Sequence, residues 1–144
     1  VSVYWDILMS IKQRLVGVMG DNHIKVRKRA IYLETDTLPT IIISPAAEKI
    51  DLETFSRQVA YSYTVQVTLV QAGNRLFEQD VRDWLLLRQQ IRQALYQPTL
   101  PDIENIIGME LDMQPAFETV TGNTSNYDVS GMSVTYQVLE ERTT

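Results

Sequence analysis

Cysteine is absent from all 144 residues, and histidine occurs once, as His23. The first absence excludes disulfides, thiolate zinc sites and cysteine nucleophiles together. It also fits a reducing compartment. The second excludes a multi-histidine metal site. Long apolar runs are missing too. Short ones such as Ile41-Ile42-Ile43 and Leu85-Leu86-Leu87 fall far below the ~20 residues that cross a bilayer. No membrane-spanning helix and no signal peptide is expected. Positive charge is scarce in the C-terminal third, where residues 101–144 hold only Arg142 against eight acids.

What is present is enough for one domain over 1–144. A chain of this length buries roughly 68–70% of its unfolded surface, so it needs no disulfide or metal. The formal net charge is -5, unevenly spread. Residues 1–29 hold six Lys/Arg against two acids, whereas residues 101–144 stand at -7. A chain basic at one end and acidic at the other can lay opposite signs on neighbouring copies in a ring or stack.

The clearest local pattern is Tyr61-Ser62-Tyr63-Thr64-Val65-Gln66-Val67-Thr68-Leu69. Its strict period of two predicts a strand over about 59–71, with one buried face and one polar, uncharged face. After Ala72-Gly73-Asn74 the period turns helical, predicting a helix over about 78–96. Val81, Trp84, Leu85, Ile91 and Leu95 form its expected core stripe, with Leu87 beside it. Trp5, Leu8, Met9, Lys12, Leu15, Val16 and Met19 predict a first helix over about 3–18, ending near Gly17 or Gly20.

Thr40-Ile41-Ile42-Ile43-Ser44 reads as a short strand limited by Pro39 and Pro45, and 45–58 as a loop with one helical turn. Strands over 107–115 and 131–139 follow from alternating Ile107/Met109/Leu111/Met113 and Met132/Val134/Tyr136/Val138. Residues 121–128 read as a polar loop between them, and Glu140-Glu141-Arg142 as a charged tail. The fold class is α+β, a mostly antiparallel sheet with two helices packed on one face.

Chemistry is hard to find. His23 beside Asp21 and Asn22 reads as local turn hydrogen bonding. Glu110 and Asp112 share one strand face, a spacing that suits a metal or a solvated acidic face. Gly73-Asn74-Arg75 lacks the spacing and lysine of a phosphate loop. No aromatic interleaves Lys25, Arg27, Lys28 and Arg29, which weighs against stable nucleic-acid binding. No catalytic residue, cofactor or metal is expected.

The whole layout resembles one family, the tail terminator (tail-completion, neck ring) proteins of long-tailed bacteriophages. Trp5 near the start of the first helix, the Tyr61-x-Tyr63-x-Val65-x-Val67 strand and the Trp84 helix with its Arg/Gln face carry the likeness. Two closing strands that end in charged residues complete it. The resemblance implies a homo-hexameric ring in the virion tail or neck, assembled in the host cytoplasm. Such a ring caps the tail tube protein and meets the head–tail connector or stopper, while DNA passes through the lumen without specific binding. No membrane is involved. Lys25, Arg27, Lys28, Arg29, Arg88 and Arg92 are then the expected inter-subunit residues. Glu110 and Asp112 are the expected lumen-facing acids, which would repel passing phosphates. Segments 34–58 and 114–130 are expected to reach neighbouring rings as long loops. Other readings are a different neck, baseplate or tube ring, a cytosolic α+β module that binds a ligand or partner as a dimer, and an enzyme with a tyrosine- or carboxylate-based site. Tube proteins usually offer a longer stacking hairpin, which this sequence does not announce.

Overall fold

A computed structural model describes residues 2–33, 35–53, 58–74, 76–121 and 126–141. Helix α1 spans Val3–Met19, and a 3-10 turn at Asp21–His23 leads to strand β1, Ile24–Val26. Strands β2 (Thr40–Glu53) and β3 (Gln58–Ala72) precede helix α2 (Glu78–Leu95). Strands β4 (Ile106–Met113), β5 (Glu118–Thr121) and β6 (Asn126–Glu141) close the chain. The sheet order is β1-β2-β3-β6-β4, with β5 also pairing β6. Among the described residues only β1 and β2 pair in parallel; the other pairings are antiparallel.

Both helices cover one face of this sheet, as the α+β reading requires. Alternation puts Ile41, Ile43, Tyr63, Val65, Val67, Leu69, Met132, Val134, Tyr136 and Val138 on that face. They form one core with Ile7, Leu8, Ile11 and Leu15 of α1 and Trp84, Ile91 and Leu95 of α2. Ser2 caps α1 by accepting from the Trp5 N–H at 3.2 Å. Gly20 ends the helix at φ +86°, a left-handed value that suits glycine. Asp80 accepts the Phe77 N–H at 3.1 Å and completes the start of α2. No helix among the described residues is long and apolar enough to cross a membrane.

Several sequence expectations need correction. The buried stripe of α1 runs through Ile7, Leu8, Ile11 and Leu15, while Trp5 is exposed. On α2, Val81 and Leu85 face solvent, because the buried side of the helix runs through Trp84, Ile91 and Leu95 with Leu87 and Ala94 packed beside them, and Val81 and Leu85 lie off that side. The supposed loop 45–58 is largely the outer half of β2. Register shifts at Pro45/Ala47 and Ile50/Leu52 break its period of two, and this hid it. Pro45 is tolerated because β1 pairs β2 only over Ile41–Ile43, so beyond that point β2 is an edge. The β2–β3 hairpin is therefore long, 14 and 15 residues a side, contrary to the expectation of none. Segment 114–130 is likewise mostly strand, since β5 continues the β4 edge along β6 after a break at Pro115. Residues 34, 54–57 and 122–125 of those segments, Arg75, and Arg142 of the tail lie outside the described residues.

The first bulge is filled from the opposite layer. Pro45 has no N–H to give and the Ala46 N–H has lost its ladder partner. The Tyr4 hydroxyl of α1 accepts from Ala46 N at 3.0 Å and donates to the Thr64 carbonyl, with the Ala47 carbonyl 3.1 Å away. The Tyr4 ring lies 5.1 Å from Tyr63. Burial raises the Tyr4 pKa above the ordinary phenol value, against the lowering pull of the Ala46 N–H. Tyr4→Phe should keep the ring contact and cost about 1–3 kcal/mol in urea unfolding by stranding those backbone groups. An unchanged midpoint would show that water satisfies them.

Candidate functional site

The described residues hold no cluster of three or more His, Asp or Glu that could bind a metal. His23, expected to bond within its own turn, instead bonds the Pro39 carbonyl at 2.8 Å. A carbonyl only accepts, so Nδ1 carries the proton, and the ring ties the start of β1 to the start of β2. Two buried tyrosines, Tyr63 and Tyr136, are shifted away from activation. Burial raises the Tyr63 pKa, and the hydrogen bond it donates to Glu140 raises it further. Burial also raises that of Tyr136, whose hydroxyl donates to the Gln97 carbonyl at 2.8 Å. Each is held as a neutral phenol, the opposite of what a tyrosine base needs.

The surfaces are more informative. The sheet face away from the helices carries Ser62, Thr64, Gln66 and Thr68 from β3 and Ser133, Thr135 and Gln137 from β6. A groove of about 480 Å³ crosses it, lined by Lys49, Ser62, Thr64, Glu110, Thr135 and Gln137. Thr64 and Thr135 join hydroxyl to hydroxyl at 2.8 Å across the strands. Gln66 and Gln114 exchange two amide hydrogen bonds of 3.2 Å over Gly131. A Cβ at Gly131 would lie 1.9 Å from Gln114 Oε1, so only glycine leaves room for this pair. Near the β1 end the same face is covered. Tyr32 lies 4.5 Å from Tyr127 there, and Ile42 and Val70 are buried.

The expected inter-subunit residues fall into two groups. Arg27 and Arg88 work inside the chain. Arg27 makes two 2.5 Å bonds to Asp36, whose carboxylate also accepts the Leu33 N–H at 2.9 Å. Arg88 donates to Ser130 Oγ at 2.9 Å and to the Gln114 carbonyl at 2.6 Å, tying α2 to the β4–β5 break. Arg92 is exposed and borders an apolar groove with Tyr96, Leu111 and Met113. Lys28 and Arg29 are exposed and Lys25 is half-buried at the outer edge of the sheet. Glu110 and Asp112 are exposed on the open face of β4, with Glu118 of β5 on the same edge. One further feature had no signal in the sequence. Leu76, Phe77, Val81, Leu85 and Leu86 form an exposed apolar stretch at the start of α2.

No family model matches this chain, and no curated protein matches its sequence. Solved structures do match. One is a chain from the virion of a native gene transfer agent particle, with a TM-score of 0.57 and 9% sequence identity. The likeness covers 93% of this chain and 95% of that one. The two share a fold from end to end. At that identity the shared property is the fold alone.

Proposed function

We propose that this chain is a structural protein of a phage-like virion. In this reading it forms a ring, most simply of six copies, that closes the tail tube, meets the head connector and lets DNA pass. The observation that carries the reading is the likeness to a gene transfer agent virion chain, which covers 93% of this chain and 95% of that one. The exposed surfaces support it. Leu76, Phe77, Val81, Leu85 and Leu86 lie side by side in solvent, which suits a protein whose working state is an assembly. The uncharged Ser/Thr/Gln centre of the sheet face, on β3 and β6, suits contact with another subunit, since it adds no charge to desolvate.

Mass tests the ring. Light scattering should find a species near 99 kDa for six copies of 16.5 kDa. Purified tail tubes capped with the chain should stop elongating. A species that stays monomeric or dimeric even with tubes present would sink the proposal. The long β2–β3 hairpin favours a second reading, a tube or other stacked ring of the same particle. Spontaneous growth of the chain into tubes, without a separate tube protein, would select that one.

A further inference from the structure

The two edges of the sheet carry opposite charge, and both are open. β1 is one edge and β4, continued by β5, is the other. Among the described residues no strand pairs the outer side of either. Such edges invite pairing unless short strands, charge, bulges or a covering segment blunt them. Lys25 lies on β1, and Lys28 and Arg29 follow it as the chain leaves the sheet. Asp112 and Glu118 lie on the other edge, with Glu110 beside them. Exposed apolar residues accompany both sets, Ile31 and Leu33 on the basic side and Ile107 and Val120 on the acidic side.

The pairing register aligns the two sets. Lys25 sits opposite Ile42, which faces Thr68, which faces Gly131. On the far side of Gly131 stands Gln114, whose N–H reaches the Gly131 carbonyl at 3.0 Å. Asp112 pairs Ser133 and Glu118 pairs Val129, so the two acids flank the Lys25 row by two residues on either side. Alternation places Lys25, Asp112 and Glu118 on the face away from the helices, with Asp112 and Glu118 exposed and Lys25 half-buried near Asp36 at the covered end. Four inter-strand steps separate the edges, roughly 19 Å at ~4.8 Å each. That exceeds the Debye length of about 8 Å at physiological salt, so within one copy the two sets barely feel each other. A second copy set beside the first presents the complementary edge at the same height.

We propose that copies of this chain join head to tail through these edges, Lys25, Lys28 and Arg29 of one copy meeting Asp112, Glu118 and Glu110 of the next. The joint rests on the ring reading and gives it a mechanism. Two different surfaces meet, so the contact is not two-fold, and repeating it generates a closed ring or a helix. Glu110 and Asp112 then stand at the joint between copies, not on the wall of the lumen.

Charge reversal tests it. K28E/R29E and D112K/E118K should each keep the wild-type far-UV spectrum and melting curve, because all four side chains are exposed. Each should raise the concentration at which the assembly dissociates at least about tenfold, and mixing the two variants should restore assembly. Assembly should also weaken as salt rises. The cysteine-free background allows a direct check: Arg29→Cys and Asp112→Cys proteins should cross-link to each other through a short bismaleimide, and neither to itself. An assembly of unchanged mass in both charge variants overturns the joint and leaves the ring standing. Self-cross-linking of either single-cysteine protein overturns the head-to-tail geometry. A wild-type chain that stays monomeric at every concentration overturns the ring and the joint together.

Discussion

Trp84→Ala is expected to destabilise the chain by about 3–5 kcal/mol, the range for emptying a large buried aromatic site. Trp84 is 1% exposed and projects from α2 into the core. Its indole N–H donates to the Ala116 carbonyl at 2.6 Å, and its ring stacks on Phe117 at 5.5 Å and 22°. One side chain therefore fills the core and fastens the β4–β5 break to the helix. The loss should appear in urea unfolding as a large fall in midpoint. Hydrogen exchange should rise first at β5, whose four residues are all exposed and have little else holding them. Trp84→Phe separates the two roles, keeping most of the volume and losing the hydrogen bond, for about 1 kcal/mol. A Trp84→Ala cost below that of Trp84→Phe would show that the site collapses without penalty. The effect extends to assembly, because the β4–β5 edge is the acidic half of the proposed joint.

Asp36→Ala should be the second large loss, about 2–4 kcal/mol, because it leaves the Arg27 guanidinium without its partner. The Asp36 side chain is 3% exposed and that of Arg27 20%. The two form a bidentate pair that closes the 27–36 segment, and Arg27 also donates to the Ile31 carbonyl at 2.8 Å. The hydrogen bonds from Arg27 hold the Asp36 carboxyl below the ordinary carboxylate range, against the opposing pull of burial. The same pair raises the Arg27 pKa. A carboxyl with a depressed folded pKa stabilises fully above its unfolded value. That contribution fades as pH falls from about 4 toward the folded value. Wild-type stability should therefore drop more steeply below pH ~4 than that of Asp36→Asn. Parallel acid limbs for the two proteins would show that the pair contributes nothing. Because this segment carries Lys28 and Arg29, loosening it should also weaken assembly.

The sequence made α1, β3, α2 and β6 legible because each has one wet face and one dry face. Alternation at Tyr61–Leu69 and helical spacing around Trp84 follow directly from that difference. Where a strand has no such contrast, the pattern disappears. The outer half of β2 is exposed on both sides from Pro45 to Ile50 and bulged twice, so Pro45 looked like an ending. All four residues of β5 are exposed, so it looked like loop. Val81 and Leu85 fit the period of α2 yet lie in solvent, because periodicity cannot say how much of a helix its partner reaches.

The candidate surfaces divide in the same way. The charge asymmetry between residues 1–29 and 101–144 can be counted in the sequence. Which of those charges are free cannot. Arg27 and Arg88 are spent on Asp36, Ser130 and Gln114, groups 9 to 42 residues away along the chain, and only a folded chain brings them within reach.

By itself, then, the sequence determined the composition of the layers: two amphipathic helices, strands with one apolar and one polar face, and a basic start and acidic end. Those properties are local, set by side-chain type and the 3.6- or 2-residue repeat. The tertiary structure alone decided the strand order. Pairing β6 between β3 and β4, and β1 outside β2, carries the basic segment to one edge and the acidic strands to the other. Strand order depends on contacts between distant residues, which no local repeat encodes, and it turns a charge imbalance along the chain into two complementary edges.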